Sequence, residues 1–267
     1  MSADHPDHAP DLPCAARLLC GSWQRGEHIG DLPAACRPCI RDEGYAVQAG
    51  WAAELGQAVA GWKIAATSVA GQRHINVAGP LAGPVFAHRV HGDNASIDLT
   101  HNRMRVAECE IVFRLGRTLT PRRGGYDRAT VLDAVGAVHP GIEIPDSRFL
   151  CFEQAGEAQL IADCACTNDM VVGASTAAGA RMDELLALEV RTRVSDGRTP
   201  AGVGANVLGD PVDALVWLVN ELGAQGLTLH TGQFVTTGAC VPPIPVRPGD
   251  AVEADFGWLG RLGVRFV

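Results

Sequence analysis

The chain has 267 residues, of which 47% are hydrophobic and 19% charged, and it carries a net charge of −8. That composition fits a soluble globular protein large enough to bury one substantial core. The negative balance argues against nucleic acid or an anionic membrane as a partner. Residues 1–13 are polar and lack the basic and apolar regions of a secretory signal. No run approaches the ~20 apolar residues that a bilayer span requires, so a cytoplasmic protein is expected. Apolar side chains at Val47, Trp51, Leu55 and Val59 recur every four residues, which predicts an amphipathic helix over residues 41–60, ended by Gly61. Residues 77–85, dense in glycine and proline, read as a loop. Strict alternation over residues 106–115 predicts a half-buried strand. A short helix is expected over residues 127–137. A longer one is expected over 211–222, with Leu215, Leu218 and Leu222 on one face and Pro211 in its first turn. The chain ends in a predicted β-hairpin, residues 251–256 and 261–267. The expected class is mixed α/β (α+β): a mainly helical portion over residues 1–95 and a β-rich core over 96–267, forming one continuous unit.

Arginine supplies 21 of the 22 basic residues, and the exception is Lys63 in Gly61-Trp62-Lys63-Ile64. A guanidinium stays protonated at any working pH, whereas an ammonium can be tuned by its surroundings until it exchanges protons. A position needing charge alone would follow the arginine habit of this chain. Trp62 and Ile64 flank the lysine in a short alternating segment, which projects it from a strand into a walled space. The nine cysteines are odd in number, and no export signal precedes them. Reduced thiols are therefore expected. Cys36-Arg37-Pro38-Cys39 has no second C-x-x-C, and Cys164-Ala165-Cys166 has the wrong spacing for a zinc site.

In the strand predicted over 106–115, Ala107, Cys109, Ile111, Phe113 and Leu115 face the core. Glu108 and Glu110 then share the other face, about 7 Å apart at their Cα atoms. A solvated face would tolerate this pair, and a covered one would not. Glu143, in Gly141-Ile142-Glu143-Ile144-Pro145, has a similar apolar setting. Three carboxylates from two strands form a hard-oxygen set suited to Mg²⁺ or Mn²⁺.

These motifs together resemble the fumarylacetoacetate hydrolase superfamily, in its 2-oxopent-4-enoate hydratase and 4-oxalocrotonate decarboxylase branch. The resemblance rests on Lys63 in Gly-Trp-Lys-Ile, on Glu108-x-Glu110, and on Glu143 within Ile-Glu-Ile-Pro-Asp-Ser-Arg148. It is extended by Val207-Leu-Gly-Asp-Pro211, Thr236-Thr-Gly238, Pro248-Gly-Asp250 and Ala254-Asp-Phe-Gly257. It implies the mixed, β-rich fold of that superfamily, with Glu108, Glu110 and Glu143 as ligands of Mg²⁺ or Mn²⁺. It also implies that Lys63 lies beside a small-molecule 2-oxo acid and transfers protons with a lowered pKa. Thr236 and Thr237, before Gly238, are implied to set hydroxyls near the substrate, with Gly238 also at it, and Asp146 and Arg148 either pair with each other or support Glu143. A homo-oligomer is implied, with a pathway enzyme as a candidate partner.

The implied activity is a metal-dependent hydratase of 2-hydroxy-2,4-dienoates that yields 4-hydroxy-2-oxo acids. One departure favours an alternative. The branch's hydratases carry an aspartate directly after the proline of Gly79-Pro80-Leu81, and here Leu81 stands in its place at the substrate. That exchange favours decarboxylation of 4-oxalocrotonate-like 2-oxo diacids, which needs no activated water. A second departure is Asp163-Cys164, where Asp-Asn is common. A non-catalytic partner subunit is the third reading, opposed by the presence of Lys63 and all three glutamates. Glu27 and His28 are adjacent rather than spaced as a lid pair, and are set aside.

Overall fold

The computed structural model describes residues 9–177, 179 and 181–267, so the segment at residues 1–8 lies outside it. Helices α1 (Leu12–Arg25) and α2 (Arg41–Leu55) come first. There follow β1 (Val59–Ala65), α3 (Val69–His74), β2 (Leu81–Phe86), β3 (Val90–His91), β4 (Ala95–Ile97) and β5 (Val106–Leu115). The middle of the chain holds α4 (Arg128–Leu132), β6 (Val135–Ile144), α5 (Glu157–Ala162), β7 (Asp169–Val172) and β8 (Thr176–Ala177). Beyond these lie β9 (Glu189–Val194), β10 (Ala201–Val203), α6 (Pro211–Ala224), β11 (Phe234–Ala239), β12 (Ile244–Pro245), β13 (Ala251–Asp255) and β14 (Arg261–Phe266).

A nine-stranded sheet runs β2-β1-β11-β5-β6-β7-β3, with β12 on β5 and β8 on β6. A five-stranded sheet runs β10-β9-β13-β14-β4 and contains the predicted C-terminal hairpin. The large sheet is buried on both faces. Cys109, Ile111, Phe113, Ile142 and Ile144 enter the main core, joined by Leu215, Leu218 and Leu222 of α6. On the opposite face Val85, Val112, Met170 and Phe234 form a separate apolar layer. A polar side chain among such neighbours must find partners within the protein.

Helices α1 and α2 close one flank through Leu19, Trp23, Val47 and Trp51, which pack with Phe86 and Phe149. Asp11 caps α1 by accepting from Cys14 N at 3.0 Å, and Asp210 caps α6 through Val212 N at 2.8 Å. Each such cap is worth about 1 kcal/mol.

Three predicted elements differ from those observed. The helix expected over residues 41–60 ends at Leu55, because Gly56 turns left-handed (φ 63°) and Val59 already pairs with β2. The loop expected over residues 77–85 contains β2, every residue of which is buried. Its Pro84 is compatible with a strand because β2 is an edge of the large sheet, where a missing N–H breaks no ladder. The helix expected over residues 127–137 stops at Leu132, and Val135 begins β6. Strands β1 and β2 thus belong to the same sheet as β5, β6 and β11, so no structural break falls at residue 95.

Candidate active site

Register brings the carboxylates together. In the antiparallel pair β5–β6, Glu108 lies opposite Glu143 and Glu110 opposite Gly141. Residues directly opposite share a sheet face, as do residues two apart on one strand. All three side chains therefore project on one face, and their carboxylate oxygens lie within 4.8 Å of one another. Glu110 and Glu143 are buried and Glu108 partly so. The solvated-face alternative left open by the sequence does not hold.

Lys63 reaches this cluster from β1, whose parallel neighbour β11 places Thr236 beside it. Its Nζ lies 3.1 Å from Glu143 Oε1 and donates to Ala165 O at 2.8 Å. The contact to Glu143 is an ion pair without hydrogen-bond alignment. Both Glu143 oxygens, and Oε1 of Glu110, are buried with no hydrogen-bond partner. The second Glu110 oxygen is well held: Thr236 Oγ1 donates to Oε2, and Gly238 N–H donates to it at 2.7 Å. The ladder between β11 and β5 slips between Thr236 and Ala239, and Gly238 takes φ 105° there. A glycine tolerates that backbone, which turns its N–H toward the carboxylate.

The electrostatics are those of a crowded acidic pocket. Burial first, and then Glu143, pushes Glu108 up to about 7, with Lys63 opposing. Burial, Glu143 and Glu108 hold Glu110 well above the ordinary carboxylate range, against Thr236 and Lys63. Glu143 is also raised, by burial, with Lys63 pulling it back. For Lys63, burial alone would lower the pKa. The attraction of Glu143, then Cys166, Glu108 and Glu110, outweighs it and raises the pKa. The lowered value expected from the sequence is therefore not found for the protein without an ion. Fully ionised, three carboxylates beside one ammonium leave two negative charges in excess. A divalent cation matches that excess and satisfies the three unpartnered oxygens, so the residues present fit such an ion.

The remaining predicted residues fall into two groups. Leu81 is fully buried on β2, opposite Ala65, while Gly83 is opposite Lys63. Alternation therefore sets Leu81 on the same sheet face as the lysine, two residue pairs further along. Thr237 instead points to the other face and donates from Oγ1 to Ile111 O at 2.9 Å. The hydroxyl at the carboxylates is that of Thr236. Asp146 and Arg148 form no hydrogen bond to Glu143 and no ion pair with each other. Asp146 accepts from Arg103 N at 2.8 Å and Met104 N at 3.2 Å, and faces His28 Nε2 at 3.3 Å. Arg148 is drawn to the fully buried Asp163, with Nε 2.5 Å from Oδ1. The pairing of Asp163 with Arg148 and the role of the Ala165 carbonyl were not legible in the sequence. Asp163 left a signal, an acid in an apolar run, but a backbone acceptor leaves none.

Residues 57–267 match the family described as fumarylacetoacetate (FAA) hydrolase C-terminal. The chain belongs to that family. Among its relatives, a 2-keto-4-pentenoate hydratase of Paraburkholderia xenovorans (strain LB400) is 31% identical over 255 residues, covering 94% of this chain and 93% of the relative. A 2-oxo-hept-4-ene-1,7-dioate hydratase of Escherichia coli is 29% identical, covering 85% and 86%. Among solved structures, 4-oxalocrotonate decarboxylase from Pseudomonas putida G7, complexed with magnesium and adipate, superposes with a TM-score of 0.86. It is 24% identical and covers 96% of this chain and 97% of its own. That likeness extends through the N-terminal helices and establishes the mixed, β-rich family fold. Among the described residues, no helix is long and apolar enough to cross a membrane.

Proposed function

We propose that this protein is a hydro-lyase that uses a divalent cation, Mg²⁺ or Mn²⁺, to convert 2-hydroxy-2,4-dienoates to 4-hydroxy-2-oxo acids. The observation that carries this reading is the convergence of Glu108, Glu110, Glu143 and Lys63 on one buried face, with three carboxylate oxygens left unpartnered. Identity of 31% to a 2-keto-4-pentenoate hydratase, over 94% of the chain, supports the choice of reaction.

Glu108, Glu110 and Glu143 would hold the ion, which when bound draws electron density from the carboxylate and C2 oxygen of a 2-oxo acid. Thr236 and Gly238 N–H fix one oxygen of Glu110, leaving the other free toward the ion. Lys63 moves the proton. Its ammonium donates one to carbon C5, and the amine so formed takes one from the 2-hydroxyl as the dienol becomes a ketone, which leaves the 2-oxo-3-enoate. Water then adds across that double bond, hydroxyl to C4 and proton to C3. The Glu143 carboxylate and the Ala165 carbonyl hold the lysine in place for the transfer. The apolar surroundings exclude other water, which strengthens each of these electrostatic contacts.

Leu81 favours a second reading, a carboxy-lyase acting on 2-oxo diacids. A buried leucine on the lysine's face supplies no group to activate water, whereas loss of CO₂ from the distal carboxylate needs none. One experiment separates the two. The purified protein is incubated with Mg²⁺ or Mn²⁺ and either 2-hydroxypenta-2,4-dienoate or 2-oxohex-3-enedioate, and products are identified by mass. A gain of 18 mass units from the dienoate supports the hydratase, and loss of 44 from the diacid supports the alternative. Turnover of neither compound rejects both. The family resemblance also supports assembly as a homo-oligomer, which light scattering tests directly.

A further inference from the structure

The backbone beside the site is strained over three consecutive residues. Cys164, Ala165 and Cys166 take φ of 53°, 51° and 62° in succession, and all three are buried. Non-glycine residues visit this left-handed region singly and rarely consecutively. Such a conformation persists where its surroundings over-determine it, and it is found disproportionately at functional sites.

Here the surroundings are the Arg148 side chain, which is only 1% exposed. Its Nη2 donates to Asp163 O at 3.0 Å and its Nη1 to Thr167 O at 2.9 Å, so one guanidinium closes on both ends of the left-handed turn. Its Nε meets Asp163 Oδ1 at 2.5 Å. Asp163 Oδ2 in turn accepts from Ser147 Oγ at 2.7 Å and from Arg148 N at 3.0 Å. The Trp51 ring lies 5.0 Å from the guanidinium carbon. A planar fork with five donors can span two carbonyls and a carboxylate together, which an ammonium cannot.

The turn so clasped presents Ala165 O to Lys63 Nζ at 2.8 Å. From the other side, β2 makes way for it. A Cβ at Gly83, the residue opposite Lys63, would lie 2.0 Å from Cys164 O. Arg148, the turn and the lysine therefore form one mechanical series, although Arg148 touches neither Lys63 nor the glutamates.

We propose that Arg148 is a positioning residue for Lys63: by clasping both ends of the left-handed turn at residues 164–166, it fixes the carbonyl that orients the ammonium. Its effect on turnover rests on the hydratase reading above, and its effect on the lysine does not. The test uses the fact that Lys63 is the chain's one lysine. Protein grown with lysine labelled with ¹⁵N at Nζ gives a single ammonium signal, read here with Mg²⁺ present. In the parent this signal should be sharp and protected from solvent exchange.

In Arg148→Gln and Gly83→Ala, each folded by circular dichroism, the signal should shift and lose protection. The kcat should fall about 10-fold or more, the scale expected for a small misplacement of a reacting group. KM and Mg²⁺ affinity should stay near those of the parent, because no glutamate is touched. A merely structural arginine would lower Tm and leave the lysine resonance in place, and that result in either folded variant overturns the proposal. If Arg148→Gln does not fold, Arg148→Lys, which shows a second ammonium signal beside that of Lys63, decides, since it keeps a cation beside Asp163 but cannot span both carbonyls. A parent that hydrates no dienoate would sink the hydratase reading while the lysine signal still answers this question.

Discussion

Glu110 shows how a carboxylate can be both fixed and available. One of its oxygens takes two hydrogen bonds, and the other is buried without any. Alanine at Glu108, Glu110 or Glu143 deletes one hard ligand and should weaken Mn²⁺ binding and remove most activity, as calorimetry and turnover would show. Glu108→Ala relieves a buried repulsion without breaking an ion pair or hydrogen bond, so that metal-free variant should melt no lower than the parent. Undiminished Mn²⁺ affinity in all three would refute the ligand assignment. Lys63 calls for a comparison of two substitutions. Lys63→Arg keeps the charge but cannot give up its proton. If Lys63 is a proton carrier, Lys63→Arg and Lys63→Ala should both lose about 10²-fold or more in kcat. An arginine variant near parent kcat would leave Lys63 as a fixed charge.

At the scale of the element, β2 supplies the position that bears on the choice of reaction. Leu81 shares a sheet face with Lys63 and has no exposure. Leu81→Asp should raise hydration relative to decarboxylation, read as the product ratio by mass. It should also lower Tm, because a carboxylate placed among apolar neighbours is poorly solvated. An unchanged ratio would mean that another group handles the water. How far these elements could be read from the sequence depended on local pattern. The alternation of β5 and the hairpin of β13 and β14 are local, and both were legible. So was the sharing of a face by Glu108 and Glu110, since a period of two fixes it. Strand β2 was hidden because Gly79, Pro80, Gly83 and Pro84 imitate a loop, and only its edge position makes Pro84 acceptable. Neither alternative for Asp146 and Arg148, pairing with each other or supporting Glu143, is found, for a related reason. Their nearness in sequence said nothing of Asp163, which the fold brings to the guanidinium.

For the molecule as a whole, the acidic cluster links stability to pH. Glu108 is raised to about 7 in the folded state, with Glu110 and Glu143 raised as well. The folded protein therefore binds more protons than the unfolded chain above the ordinary carboxylate pKa of ~4.3. Stability from this cluster is fully present below that value and is lost as pH rises through about 7. Without metal, Tm should fall across that window, and a loss of 1 kcal/mol corresponds to about 2–4 °C. Mg²⁺ should restore more at pH 8 than at pH 5, where protons compete for the same oxygens. A metal-free Tm that rises from pH 5 to 7 would contradict this assignment. The topology has a further effect, on how the protein comes into being. Strand β1 is flanked by β2 and by β11, and Lys63 pairs with Thr236 across most of the chain's length. During synthesis the lysine is thus exposed long before its neighbour leaves the ribosome, and the parallel β1–β11 pairing must wait for a large loop to close. The cluster of Lys63 and the three glutamates is consequently among the last parts to mature. A nascent chain halted before residue 234 could fold its helices and the β5–β6 hairpin, yet it would lack the hydroxyl and the N–H that hold Glu110.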